Sequence, residues 1–369
     1  MLHAHEMTAA LTPISFKCGP SWRNRLMLAP MTNYQSADDG RLSEDDRQWL
    51  DLRAKGGFGM VMTCAAHVRR DGQGFVRQLG VFSDDHLPGL TELATTLKRS
   101  GAVCAVQLQH SGVRALQSLT GSQPFGPSDV KESGARAMTG DEVEAVVEDF
   151  VAAAVRAECA GFDGVELHAA HGFLLCNFLS PVFNRRNDAW GGSLEHRARI
   201  LIEIIEGVRR RVRPDFQLGL RLSPERYGLR FEEQRELTRW MLVRPDLDYV
   251  DLSLWDAFAA PVDPRFAAGR LIDRFADLPR GIVRLGVAGR VRSGAEIRDA
   301  LSAGADFVAM GHAGILHHDF PRRLAVDPDF GCRSLPVSEA ELRAEGVGGA
   351  FLDYFKGREG FVIDEEPAA

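Results

Sequence analysis

From Leu26 onward, short apolar runs alternate with longer amphipathic stretches eight times over, and this repeat constrains the fold more than any other feature. The runs are Leu26–Ala29, Met60–Thr63, Val103–Leu108, Gly164–His168, Gln217–Leu222, Tyr249–Ser253, Arg284–Val287 and Phe307–Met310, and they read as strands. Helical patterning lies between them at Glu44–Lys55, Pro88–Ser100, Asp141–Ala160, Ser193–Arg211, Glu232–Trp240, Ser293–Ala303 and after His318. Thr139 with Glu142, and Ser293 with Glu296, predict capping boxes, while Gly161 predicts a left-handed stop. Eight successive βα units imply a parallel α/β sheet, and closing it into a (β/α)8 TIM barrel leaves no exposed edge. A doubly wound sheet competes, but the turn after the first strand, Leu28 to Gln35, holds no G-x-G-x-x-G.

The 369 residues would allow two domains at roughly 100–200 residues each, yet such barrels run past about 250 residues as one unit. The expected organisation is an N-terminal segment over 1–25, a single barrel domain over 26–335 and a C-terminal extension over 336–369. That extension carries Phe351, Tyr354, Phe355 and Phe361, which is too apolar for free solvent. It is expected to pack on the barrel or on a neighbouring subunit, as part of a homodimer or higher homo-oligomer.

Charge and composition narrow the function. A formal charge of −7 supplies no basic stripe for a phosphate backbone, so no nucleic-acid partner is expected. The start, MLHAHEMTAALTPISF, lacks a basic segment followed by an apolar run, and no stretch reaches the ~18 apolar residues of a membrane span. A cytoplasmic location with no membrane partner follows as the expectation. The six cysteines never form C-x-x-C, which argues against a disulfide framework, an iron–sulfur cluster or structural zinc.

Unusual residues at the C-terminal ends of the strands mark where chemistry belongs in a barrel. His168 and His171 follow the fourth strand, and two neutral imidazoles can each donate an N–H to one oxygen, polarising a carbonyl. A metal pair or two structural histidines are the plainer readings. Glu166 is set on the opposite strand face as a poor third ligand, so no metal is expected. Gly289-Arg290 and Gly311-His312 end the last two strands, where backbone N–H groups and helix starts favour phosphate, although glycine also serves tight turns. Gln107, Arg221 and Thr32 lie where core residues are expected, and a buried arginine needs a partner. An aromatic dicarbonyl ring with a phosphate tail, which describes FMN, satisfies all three.

These residues resemble the Old Yellow Enzyme family of FMN-dependent ene-reductases, in its short-motif bacterial branch. The resemblance runs from about Leu26 to Arg322 and is densest in GFDGVELHAAHG (161–172), FLSP (178–181), NRRND (184–188) and GGSLEHR (191–197). It implies non-covalent FMN, NADPH or NADH as electron donor, and a small-molecule activated alkene as acceptor. His168 and His171 match the pair holding the substrate's carbonyl or nitro oxygen. Gln107 and Arg221 match the residues on the ring's O2/N3 and N1 edge, and Thr32 and Ala65 those near O4 and N5. Ala29, Pro30 and Met31 match backbone contacts; Gly289, Arg290, Gly311 and His312 match the phosphate loops; and Tyr34 matches a substrate-contacting tyrosine.

Two departures stand out. Phe173 replaces the tyrosine that normally delivers a proton, leaving Tyr34 or ordered water for that step. His312 replaces an arginine, which predicts weaker FMN retention that falls further above the histidine's pKa. The rival readings are an FMN barrel acting oxidatively as a dehydrogenase or demethylase, a flavin-free sugar-phosphate barrel, and a non-catalytic or RNA-acting barrel. Kinship of function with the longer dienoyl-reducing relatives, which carry an iron–sulfur cluster, is not expected from the length and the scattered cysteines.

Overall fold

A computed structural model describes residues 9–363. Eight strands form a closed barrel: β1 (Leu26–Leu28), β2 (Met60–His67), β3 (Val103–Gln109), β4 (Gly164–Ala169), β5 (Gln217–Leu222), β6 (Tyr249–Ser253), β7 (Arg284–Ala288) and β8 (Phe307–Met310). Every neighbouring pair is parallel, as the (β/α)8 expectation requires. β2 runs past its apolar stretch to His67 because a register shift between Met62 and Ala65 interrupts the inward–outward alternation. Helices Glu44–Gly56, Leu87–Arg99, Gly140–Cys159, Leu194–Arg211, Phe231–Leu242, Gly294–Ser302 and Phe320–Val326 follow the strands, but between β6 and β7 only the short helix Asp273–Ala276 and a 3-10 turn remain.

The helix ends follow local chemistry. Thr139 accepts from the Glu142 N–H while the Glu142 carboxylate accepts from the Thr139 N–H at 2.8 Å, a complete capping box. Ser293 makes only half of one, because the Glu296 carboxylate accepts from the Arg292 N–H at 2.6 Å instead. Gly161 stands at φ 91° and ends the long helix before β4.

The barrel interior has two storeys. Toward the N-terminal ends of the strands, Met27, Met60, Val103, Tyr249 and Phe307 form an apolar layer, into which the Ile14–Trp22 bridge inserts Trp22 as a plug. Trp22 is fully buried, with its ring 4.9 Å from Phe307 and 5.7 Å from Tyr249. Its indole N–H donates to Gln217 Oε1 at 3.1 Å. Gly219 and Gly286 must lack a Cβ, since one on either would overlap the ring of Tyr249 or Phe307. Burying an aromatic side chain of this size contributes about 4–6 kcal/mol before entropy is counted.

Further along β3 to β6, the inward positions turn polar: Gln107 on β3, Glu166 on β4, Arg221 on β5 and Asp251 on β6, all buried. Glu166 therefore shares the inward face with His168, contrary to the face assigned from sequence; positions two apart on a strand point the same way.

Residues 336–363 lie on the chain's own barrel. Phe351, in the helix Gly349–Lys356, meets Trp49 edge-on at 5.1 Å, and the Gly348 N–H donates to Gln35 Oε1 at 2.9 Å. Phe355 and Phe361 stack at 4.2 Å. Among the described residues, no helix is long and apolar enough to cross a membrane.

Candidate active site

A cavity of about 470 Å³ opens at the C-terminal ends of the strands. Its walls include Ala29, Pro30, Met31 and Thr32 after β1, His171 after β4, Arg221 on β5, Gly289 and Arg290 after β7, and Gly311 and His312 after β8. Ten of the fourteen residues singled out from sequence thus meet in one space. His168, Gln107, Ala65 and Tyr34 are not in its wall.

The histidines form a pair. Gly172 stands at φ 73° and His171 at φ 60°, a reversal that turns the His171 ring back over the barrel. His171 Nδ1 lies 3.2 Å from His168 Nε2, and His171 Nε2 lies 2.7 Å from Ser253 Oγ. The rings therefore share one hydrogen bond between them, with His168 behind and its Nδ1 buried without a partner. Burial first, then His171 beside His168 and the Arg221 and Arg114 guanidiniums beside both, hold both rings well below the ordinary histidine range, with His171 at about 3. Both are neutral at working pH, and a neutral imidazole donates a hydrogen bond without giving up a proton. Arg114 comes from the long loop after β3 and donates to the His171 carbonyl at 2.5 Å.

Arg221 lies between the cavity and a buried polar floor. Its Nε is 3.1 Å from Asp251 Oδ2 but is not aligned as a hydrogen bond. Gln107 Nε2 donates to Glu166 Oε1 at 2.8 Å, and Ala65 pairs with Gln107 across β2 and β3. Burial and the neighbouring Asp251 carboxylate raise Glu166 to about 8, so it keeps its proton at neutral pH. Burial raises Asp251 as well, opposed by Arg221.

Cations gather around His312. Arg292 Nη2 donates to His312 Nδ1 at 3.2 Å, which places the neutral ring's proton on Nε2. Burial, then Arg292, Arg358 and Arg290, depress the His312 pKa below its ordinary 6.5. These surroundings disfavour a charge on the ring and so weigh against the expected fall in retention above its pKa. The two glycines of this region differ. A Cβ on Gly289 would meet the Ala257 backbone nitrogen at 2.8 Å, which is the tight-turn reason for glycine. One on Gly311 would find only Met31 Sδ, at 3.8 Å, so that position faces open cavity.

Tyr34 packs on Phe75 at 5.2 Å and on Tyr354 at 4.9 Å, and Tyr354 takes the place in the wall. Phe173 meets His168 at 5.1 Å. Tyr227, which sequence reasoning missed, lies 6.2 Å from His171 and lines a small adjoining recess with it. It follows Arg226 at positive φ, 51° after 68°, a conformation with no sequence signal in an Arg-Tyr pair. Ser253, Arg292, Tyr354 and Arg358 were also missed, although Arg292 flanks a loop already marked. Trp255 lines the cavity, with Arg226 5.1 Å over its ring.

The residues present fit FMN: Gly311 opens onto space beside clustered cations, and Arg221 Nε and His168 Nδ1 are buried donors or acceptors without partners. Among the described residues, no three His, Cys, Asp or Glu side chains converge as metal ligands. The profile of the NADH:flavin oxidoreductase / NADH oxidase family matches residues 11–247. A probable NADH-dependent flavin oxidoreductase of Bacillus subtilis strain 168 is 36% identical over 329 residues, 86% of this chain and 85% of that one. An NADPH dehydrogenase of Halalkalibacterium halodurans is 32% identical over 84% of this chain and 92% of its own. The solved structure of morphinone reductase in complex with tetrahydroNAD superposes with a TM-score of 0.77 at 26% identity, covering 96% of this chain and 98% of that one.

Proposed function

Because this chain belongs to the Old Yellow Enzyme family of NADH:flavin oxidoreductases, we propose that it uses NADH or NADPH to reduce the C=C bond of an activated alkene. The acceptor class is an α,β-unsaturated carbonyl or nitro compound. FMN, held non-covalently, supplies hydride transfer between the nicotinamide and the acceptor.

The observation that carries this reading is the neutral pair His168 and His171, joined at 3.2 Å at the edge of the cavity. An acceptor oxygen that displaces their mutual bond takes one N–H from each ring once the accepting ring carries its proton on the facing nitrogen, the other tautomer of the neutral imidazole. Negative charge gained by that oxygen during addition is then stabilised by both donors. Ser253 orients His171, and Arg114 fixes its backbone. Arg221 would offer positive charge to the ring edge of FMN, and Gly311, Arg292 and His312 would hold its phosphate.

Protonation of the α-carbon falls to Tyr227. It stands beside His171, and burial raises its pKa above the ordinary tyrosine value, opposed by Arg114 and Arg226, so the phenol carries its proton at neutral pH. Tyr34 is screened from the cavity by Tyr354.

The test is the double variant His168→Ala with His171→Ala. It is expected to remain yellow and to lose enone reduction by at least about 10²–10³-fold, the cost of one oxyanion donor. Undiminished turnover overturns the assignment. Phe173, which has no proton to give, favours an oxidative FMN barrel as the second reading; faster oxidation of saturated ketones than reduction of enones would select it.

A further inference from the structure

We propose that Glu166 and Asp251 hold one proton between them under the cavity floor, and so set how much positive charge Arg221 presents to the ring above. This rests on the reading that FMN lies over Arg221 and Gln107. Both carboxyls are fully buried. Glu166 faces Gln107 from β3, Arg221 from β5, and Tyr249 and Asp251 from β6; Arg221 is the only cation among these neighbours. Glu166 Oε2, both Asp251 oxygens and the Tyr249 hydroxyl are buried without a hydrogen-bond partner.

Two ionised carboxylates against one guanidinium would leave a negative charge uncompensated in a dry interior, so one carboxyl keeps its proton. Asp251 has the guanidinium at 3.1 Å, which makes it the ionised member, and Glu166 the protonated one. In that state the trio is neutral. Loss of the Glu166 proton makes it negative and opposes the single negative charge that hydride uptake, two electrons with one proton, leaves on the ring. Above the pH where Glu166 ionises, reduction therefore draws one further proton from solvent onto Glu166. Glu166 and Asp251 act through Arg221 and Gln107, and are positioning residues.

The experiment is equilibrium redox titration of the FMN holoenzyme across pH, for wild type, Glu166→Gln and Asp251→Asn. In wild type the midpoint potential should fall by about 30 mV per pH unit and steepen to about 60 where Glu166 titrates, for a two-electron couple. Glu166→Gln should remove the steepening, and Asp251→Asn should remove it from the neutral-to-alkaline range as well, because Glu166 then ionises against Arg221. Either variant showing wild-type steepening overturns the proposal.

Infrared spectroscopy of the flavin-free wild-type protein covers variants that misfold. A buried protonated-carboxyl stretch present at neutral pH and lost on alkalinisation supports the pair, and its absence at neutral pH refutes it. Purified protein that takes up no flavin fails the FMN reading, and leaves the infrared result to decide the acid pair separately.

Discussion

The lower and upper halves of the barrel interior are built from the same strands, two residues apart, and they follow opposite rules. On β6 the step is from Tyr249 to Asp251, on β5 from Gly219 to Arg221, on β4 from Gly164 to Glu166 and on β3 from Ala105 to Gln107. Below, ring meets ring at 4.9–5.7 Å and the indole N–H of Trp22 has its acceptor. Above, His168 Nδ1, Glu166 Oε2, Arg221 Nε and both Asp251 oxygens are buried without a hydrogen bond, Arg221 and Asp251 meeting only as an ion pair at 3.1 Å. Unpaired buried polar atoms cost stability, so the lower half sustains the fold and the upper half is kept for what it binds.

The sharpest way to break this division is Trp22→Ala. Removing the plug should cost about 3–5 kcal/mol, seen as a lower urea midpoint with an unchanged slope. Turnover per folded, FMN-loaded molecule should stay the same. A variant that keeps its stability but loses turnover would show that the halves are not separable.

Tyr227→Phe probes the upper side with a comparable but smaller effect. Alkene reduction by pre-reduced enzyme should slow by about 10²-fold, at the low end for a general acid, while flavin reduction by the nicotinamide and the urea midpoint stay put. Tyr34→Phe should leave both half-reactions unchanged. If rapid mixing instead finds the slow step in Tyr34→Phe, the two tyrosines exchange roles.

Tyr249 sits on the seam, its ring in the lower layer and its hydroxyl beside Glu166 without a hydrogen bond to it. Tyr249→Phe keeps the ring and deletes an unsatisfied hydroxyl, so stability should change by no more than about 1 kcal/mol. A larger loss by urea denaturation would mean that the hydroxyl is bonded in solution and that the seam belongs to the upper half.

What could be read from sequence follows the same division. All eight strands were legible because strands covered on both faces are nearly continuous apolar runs. β2 alone ran on unseen by more than one residue, where the register shifts between Met62 and Ala65. His171, Arg221 and the loop glycines were legible as polar or small residues at strand ends. Asp251 was not, flanked by Val250 and Leu252 in a run scored as apolar. Nor was Tyr227, whose place depends on two successive positive φ angles rather than on spacing. Tyr34 shows the converse: a suitable residue in a suitable position, covered by Tyr354 from a segment more than three hundred residues away.

The smallest expected effect concerns His312, where residue type and environment point in different directions. A histidine in place of arginine suggests a charge that disappears near neutral pH. Burial and the Arg292, Arg358 and Arg290 guanidiniums lower its pKa below 6.5, so the folded chain resists protonating it. The sign for stability follows: the unfolded chain binds this proton first as pH falls through 6.5, so His312 destabilises the fold on the acid side and contributes no pH dependence above it. FMN retention should therefore vary by less than about twofold from about pH 7 to about 8.5, where the phosphate is already fully ionised. Dialysis at fixed ionic strength, with released flavin read by fluorescence, measures it. A steady loss of FMN through that window would mean that the bound phosphate outweighs three guanidiniums and returns His312 to its ordinary range.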